Sequence, residues 1–129
     1  MKIFITGSSG FIGLHLSKKL LEKGHIIHGF DSMNAYYDVK LKKSRYQILK
    51  EYRNFSFTKG KLENQKILRK LILRFKPKII IHLAAQAGVR YSIKNPRTYL
   101  DSNIIGTYNI IEFAKKANVK HLLIASSSS

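Results

Sequence analysis

The sequence predicts an α/β fold, a doubly wound parallel sheet of about five strands in the order 3-2-1-4-5. Three observations carry that prediction. Short apolar runs alternate with helix-length segments along all 129 residues, as in strands joined by right-handed helical crossovers. The first run, Ile3-Phe4-Ile5, leads straight into the glycine turn Thr6-Gly7-Ser8-Ser9-Gly10-Phe11-Ile12-Gly13 and then into a helical stretch. A strand that ends in glycines at a helix start is an anion site: unpaired N–H groups and the helix dipole supply positive charge, and glycine allows close approach. Finally, Asp31 ends the second apolar run, at the separation where a carboxylate meets the ribose of a bound dinucleotide.

Taken in order, residues 2–6 form the first strand, apolar enough to be buried on both faces. Residues 11–23 form a helix with Phe11, Ile12, Leu16, Leu20 and Leu21 available to the sheet and Gly24 as its stop. Residues 25–30 make the second strand, 33–39 a polar and aromatic loop, and 40–52 a basic helix. The third strand spans 54–58, with Phe55 and Phe57 on one face. A helix over 65–75 is closed by Pro77. Residues 79–83 read as an uninterrupted apolar strand, the mark of a central parallel strand. One long helix follows over 96–118, with Asn95 as its cap and Pro96 at its first position. Residues 121–125 form the last strand, ahead of Ser126-Ser127-Ser128-Ser129. The result is a Rossmann-type sheet forming one domain over 1–129, incomplete at its C-terminus. Such folds bind ligands beyond the carboxyl ends of their strands, where Gly7, Asp31, residues 83–86 and residues 126–129 converge.

The glycine spacing is G-x-x-G-x-x-G. Gly7 permits the tight turn, Gly10 removes a Cβ that would collide with the ligand, and Gly13 lets the first helix lie close on the sheet. A carboxylate at Asp31 repels a 2′-phosphate and so favours NAD over NADP. The composition narrows the alternatives. With no cysteine there is no disulfide framework, thiolate chemistry or zinc–thiolate site, and no metal site is predicted. No apolar stretch is long enough to span a bilayer, and the run after Met1-Lys2 is too short for a secretory signal, so a cytoplasmic location is expected. Asn54-Phe55-Ser56 fits a glycosylation sequon and is read as chance. The net charge is +17, and between Lys40 and Lys78 fourteen Lys and Arg oppose only Glu51 and Glu63. That field attracts polyanions, but the cations are spread around helices without the aromatic interleaving of a nucleic-acid motif, so a solvated surface is the preferred reading.

Taken together, the segments resemble the extended short-chain dehydrogenase/reductase family, and within it the UDP-glucuronate 4-epimerases. The resemblance covers nearly the whole chain. Its carriers are the glycine turn, residues 31–38 from Asp31 through Tyr36-Tyr37-Asp38, and Ile81-His82-Leu83-Ala84-Ala85-Gln86-Ala87-Gly88-Val89-Arg90-Tyr91-Ser92. Asn95-Pro96, Asn103-Ile104-Ile105-Gly106-Thr107 and the terminal serines complete them. The stretch from Ala84 to Ser92 points to the uronate epimerases, whereas the rest specifies only the superfamily. The resemblance implies NAD as cofactor, with Gly7, Gly10, Phe11, Ile12 and Gly13 at its pyrophosphate and Asp31 at its adenosine ribose. It further implies Leu83, Ala84, Ala85 and Ala87 beside its second half, with Asn103 in support. Ser127 matches the catalytic Ser/Thr, and Gln86, Arg90, Ser126, Ser127 and Ser128 fall near a UDP-sugar. Lys61-Leu62 stands where the family has Asp-Leu for adenine; Leu62 keeps its place, but a lysine cannot accept the adenine amino hydrogen bond.

The family's Tyr-x-x-x-Lys pair lies downstream of the serine turn and is not reached by Ser129. Tyr36/Lys40 and Tyr46/Lys50 fit the pattern but fall on the adenosine side. A chain of these residues is therefore expected to bind NAD weakly and not to turn over, and the complete enzyme to be a homodimer. Related 4,6-dehydratases carry an acidic pair after the catalytic Thr, where this sequence has Ser128 and Ser129, so epimerase is preferred to dehydratase. A non-catalytic NAD-binding module and, less favoured, a basic nucleic-acid binder remain as alternatives.

Overall fold

The computed structural model describes residues 1–34 and 39–126. Five parallel strands, β1 (Lys2–Thr6), β2 (Ile26–Asp31), β3 (Phe55–Lys59), β4 (Ile79–His82) and β5 (His121–Ile124), form one sheet in the order β3-β2-β1-β4-β5. This is the predicted order. Between them run α1 (Phe11–Glu22), α2 (Val39–Lys50) and α3 (Gln65–Phe75). The connection from β4 to β5 holds α4 (Val89–Lys94), α5 (Pro96–Tyr99), a π-helical segment Leu100–Ile105 and α6 (Gly106–Lys116).

Alternation along β1 shows why both faces are covered, since successive strand side chains point to opposite sides. Ile3 and Ile5 pack with Ile27, Leu21 and Leu49 on the face of α1 and α2. Phe4 packs with Phe30, Ile80, Leu68, Ile72, Ile110 and Phe113 on the face of α3 and α6. Several of these side chains have no exposed surface, and the sheet with its two helical layers fixes where the strand ends emerge.

Three local predictions are corrected. Phe11 and Ile12 do not face the sheet: they are 66% and 65% exposed. The buried stripe of α1 is Gly13, Ser17 and Leu21, four residues apart and hence on one helical face, and Phe11 and Ile12 lie off that stripe. The long helix predicted over 96–118 is present as one unbroken helical run from Pro96 to Lys116, with a π-helical segment at Leu100–Ile105 and α4 ahead of it, but Asn95 does not cap it. Asn95 cannot continue α4 comfortably because Pro96 disfavours helical backbone in the residue before it. Asn95 takes φ −134° and ψ 63° and makes no side-chain cap, although Pro96 does occupy the first helical position. Finally, 79–83 is not uninterruptedly apolar, since His82 lies in it, buried at 3% exposure. The sequon residue Asn54 has a structural use: its amide donates to Leu21 O at 3.2 Å and His25 O at 2.6 Å, closing the corner between α1 and β2.

Candidate functional site

The carboxyl ends of β1, β2 and β4 open onto a crevice of about 550 Å³. Its floor is the glycine turn. Gly7 has φ +74°, a left-handed conformation that favours glycine, and donates its N–H to Phe30 O at 2.7 Å. A Cβ on Gly7 would lie 2.9 Å from Ala84 N, so the turn is pressed against the segment leaving β4. Gly10 flanks the N-terminus of α1 with no side-chain cap there, which leaves the first-turn N–H groups without helical acceptors. A Cβ on Gly13 would come within 2.0 Å of Gly7 O. The close approach that Gly13 permits is thus between α1 and the turn, rather than the sheet.

On one wall, Asp31 is 4% exposed. Its Oδ2 accepts from Ser9 N at 3.1 Å, and its Oδ1 from Met33 N at 2.8 Å and Lys42 Nζ at 3.0 Å. The carboxylate therefore ties the glycine turn to β2, and it is met by a buried ammonium instead of standing as a lone negative charge. An ionised carboxyl offers about four acceptor positions, so these three donors leave it roughly one for a ligand hydroxyl. Arg45 donates to Ser9 O at 3.3 Å and lies over the Phe11 ring.

The other wall comes from residues 60–63 and 83–87. Leu62 is fixed from α6, where Asn109 Nδ2 donates to its carbonyl at 2.9 Å and Gly106 leaves room for its side chain, since a Cβ there would sit 2.6 Å from Leu62 Cβ. Asn103 clamps the peptide of Gln86, accepting from its N–H at 2.8 Å and donating to its carbonyl at 3.0 Å. Gln86 Oε1 in turn accepts from Asn34 at 3.3 Å. Behind Leu83 and Ala84 lies His82, with Nδ1 2.7 Å from Thr6 Oγ1 and Nε2 2.9 Å from Thr107 Oγ1. Burial disfavours the imidazolium and lowers the His82 pKa to about 4.

Of the predicted residues, Gly7, Gly10, Asp31, Leu62, Leu83, Ala84, Ala85, Gln86 and Ala87 line the crevice. Phe11, Ile12, Arg90 and Ser126 are exposed and do not line it, and Asn103 acts from behind Gln86. Ser127 and Ser128, like Tyr36, lie outside the described residues. Tyr46 of the second decoy pair packs on the Phe57 ring, 4.7 Å between centroids, and neither it nor Lys50 lines the crevice. Sequence reasoning missed Lys42, Asn34, Tyr91, Thr98 and Asp101 as lining residues. Lys42 had a signal: it shares the buried face of α2 with Leu49, seven residues on. Among the described residues no cluster of three His, Cys, Asp or Glu could hold a metal ion, and no helix is long and apolar enough to cross a membrane.

Residues 4–129 match the family described as GDP-mannose 4,6 dehydratase. Protein CapI of Staphylococcus aureus is 54% identical over 129 residues, which are 100% of this chain and 38% of that protein. A Rhizobium meliloti protein named "Probable UDP-glucuronate 4-epimerase" is 47% identical, with the same coverage. The crystal structure of UDP-glucuronic acid 4-epimerase from Bacillus cereus, in complex with UDP-glucuronic acid and NAD, superposes with a TM-score of 0.91 at 33% identity, over 100% of this chain and 41% of that one. The chain thus spans about 38% of the length of these curated relatives.

Proposed function

The chain belongs to the family described as GDP-mannose 4,6 dehydratase, and from that premise we propose that it is the NAD-binding, N-terminal part of a UDP-glucuronate 4-epimerase. The observation that carries this reading is the meeting of the glycine turn, Asp31 and the Leu83–Ala87 segment on one crevice, in a chain 47% identical to a relative so named. The cradle fits a dinucleotide: it has backbone N–H groups at a helix start, a glycine where a side chain would fill the floor, and a carboxylate with an acceptor position remaining.

Gly7, Gly10 and the first turn of α1 hold the pyrophosphate, Asp31 with Lys42 the adenosine ribose, and Leu83 to Ala87 flank the nicotinamide half. When bound there, NAD would supply the redox chemistry at sugar C4, accepting a hydride and giving it back. Ser127 hydrogen-bonds the reacting hydroxyl, and Gln86, Arg90, Ser126 and Ser128 serve the UDP-sugar side. The epimerase is preferred to the dehydratase because Ser128 and Ser129 cannot perform acid–base work at neutral pH. A cytoplasmic homodimer belongs to the same proposal. A polypeptide of these 129 residues alone is expected to bind NAD without converting UDP-glucuronate. Calorimetric titration with NAD tests the reading: saturable binding that Gly10→Val abolishes supports it, and no binding at millimolar NAD refutes it.

A further inference from the structure

We propose that Thr6 and His82 are positioning residues, which hold the Leu83–Ala84 backbone against Gly7 through the hydrogen-bonded chain Thr107–His82–Thr6. The inference rests on reading the crevice as a dinucleotide site, but its geometry is independent of that reading. Thr6 Oγ1 lies 3.1 Å from Leu83 N, 3.1 Å from Ala84 N and 2.7 Å from His82 Nδ1. A hydroxyl has one proton and two lone pairs, and a backbone N–H can only donate. The two amides therefore occupy both lone pairs, and the Thr6 proton must point at Nδ1. An imidazole accepting at Nδ1 carries its proton on Nε2 when neutral, and that N–H is aimed at Thr107 Oγ1, 2.9 Å away. Every donor from Ala84 to His82 is accounted for by one tautomer.

The arrangement acts where sheet pairing runs out. Leu83 N still reaches Thr6 O at 3.3 Å, but β4 ends at His82, and Thr6 Oγ1 takes the Ala84 N–H just beyond it. Thr6 is fully buried, so water cannot readily substitute. The held peptides are the ones Gly7 presses on: a Cβ there would stand 2.9 Å from Ala84 N and 3.1 Å from Leu83 C. A shift of Ala84 therefore passes directly into the crevice floor.

The test uses the 129-residue chain and three readouts. In the wild-type protein at pH 7, ring nitrogen chemical shifts should show His82 neutral with its proton on Nε2; a proton on Nδ1 or a charged ring overturns the proposal. In Thr6→Val, which keeps the shape and removes the hydroxyl, the Ala84 amide should exchange with solvent about tenfold faster or more, and NAD affinity should fall about tenfold or more. Thr6→Ser should restore both to within about threefold. The core variant Ile80→Val, which weakens the same strand without touching the chain of hydrogen bonds, should leave NAD affinity unchanged. Unaltered Ala84 exchange in Thr6→Val refutes the positioning role. If the wild type binds no NAD, the dinucleotide reading fails, and the tautomer and exchange measurements still decide the positioning role. Should Thr6→Val not fold, the wild-type tautomer and Thr6→Ser exchange decide it.

Discussion

Replacing Gly13 by alanine sets two effects of opposite sign against each other. Alanine in a helix is favoured over glycine by about 1 kcal/mol, so an ordinary helical glycine gains stability on this change. Here the new Cβ would lie 2.0 Å from Gly7 O and 2.9 Å from both Gly7 C and Ser8 Cα. These are backbone atoms, so no rotamer change relieves the contact; the carbonyl must retreat by more than about 1 Å to reach van der Waals distance. It has little room, because Gly7 is bonded to Phe30 O and packed on Ala84. Overpacking of this kind costs about 1–3 kcal/mol, sometimes more, and the upper end applies where main chain must move. The expected net result is a loss of roughly 1–2 kcal/mol, measured as a lower urea midpoint at unchanged slope. Gly10→Ala is the internal control, since its Cβ would meet only Gly7 O at 3.2 Å, and its stability should stay within about 0.5 kcal/mol of wild type. A Gly13→Ala protein as stable as the wild type would refute the reasoning, for it would mean that the turn does not press on α1.

Two further outcomes follow from the polar contacts. The His82 pKa is lowered from 6.5 to about 4, so between those values the unfolded chain takes up a proton that the native one refuses. Stability is then fully present above about pH 6.5 and falls as pH drops toward 4, by up to roughly 3 kcal/mol. His28 is lowered too, by burial, so the measurement is the difference in pH-dependent urea stability between wild type and His82→Gln, and parallel curves would contradict it. Asn103→Leu removes both partners of the Gln86 peptide and should cost about 1–3 kcal/mol. Amide exchange at Gln86 reports this directly, and unchanged protection there would count against the clamp.

The sheet was legible because strand runs and the glycine turn obey local rules: each apolar run, and the stop after it, can be read without knowing what packs on it. The order followed from right-handed crossovers. What sequence could not supply was register. Thr6 and His82 sit opposite each other across β1 and β4, 76 residues apart in the chain, and no local pattern marks them as a pair; His82 therefore passed as one letter in an apolar run. Phe11 and Ile12 failed for a related reason. Hydropathy says that they bury well, but the buried stripe of α1 runs through Gly13, Ser17 and Leu21, and they lie off it. The π-helical segment Leu100–Ile105 has no composition of its own, since one extra residue per turn leaves propensity unchanged, and so the continuous helix from Pro96 onward read as regular α-helix.

That helix also departs from the usual pattern, although Ile110, Phe113 and Ala114 near its end still turn into the core. Its inward positions carry Asn103, Gly106, Thr107 and Asn109, each with a separate duty: Asn103 clamps Gln86, Gly106 leaves room for Leu62, Thr107 receives His82 and Asn109 holds the Leu62 carbonyl. Its outward positions carry Leu100, Ile104, Tyr108 and Ile111, all substantially exposed. A surface helix ordinarily turns its apolar stripe toward the core and its polar residues to water. Here the core side is partly given over to polar groups that shape the crevice, and an apolar stripe is left outside. A lone exposed leucine needs no explanation, but four apolar side chains at helical spacing form a patch of the kind that marks an interface.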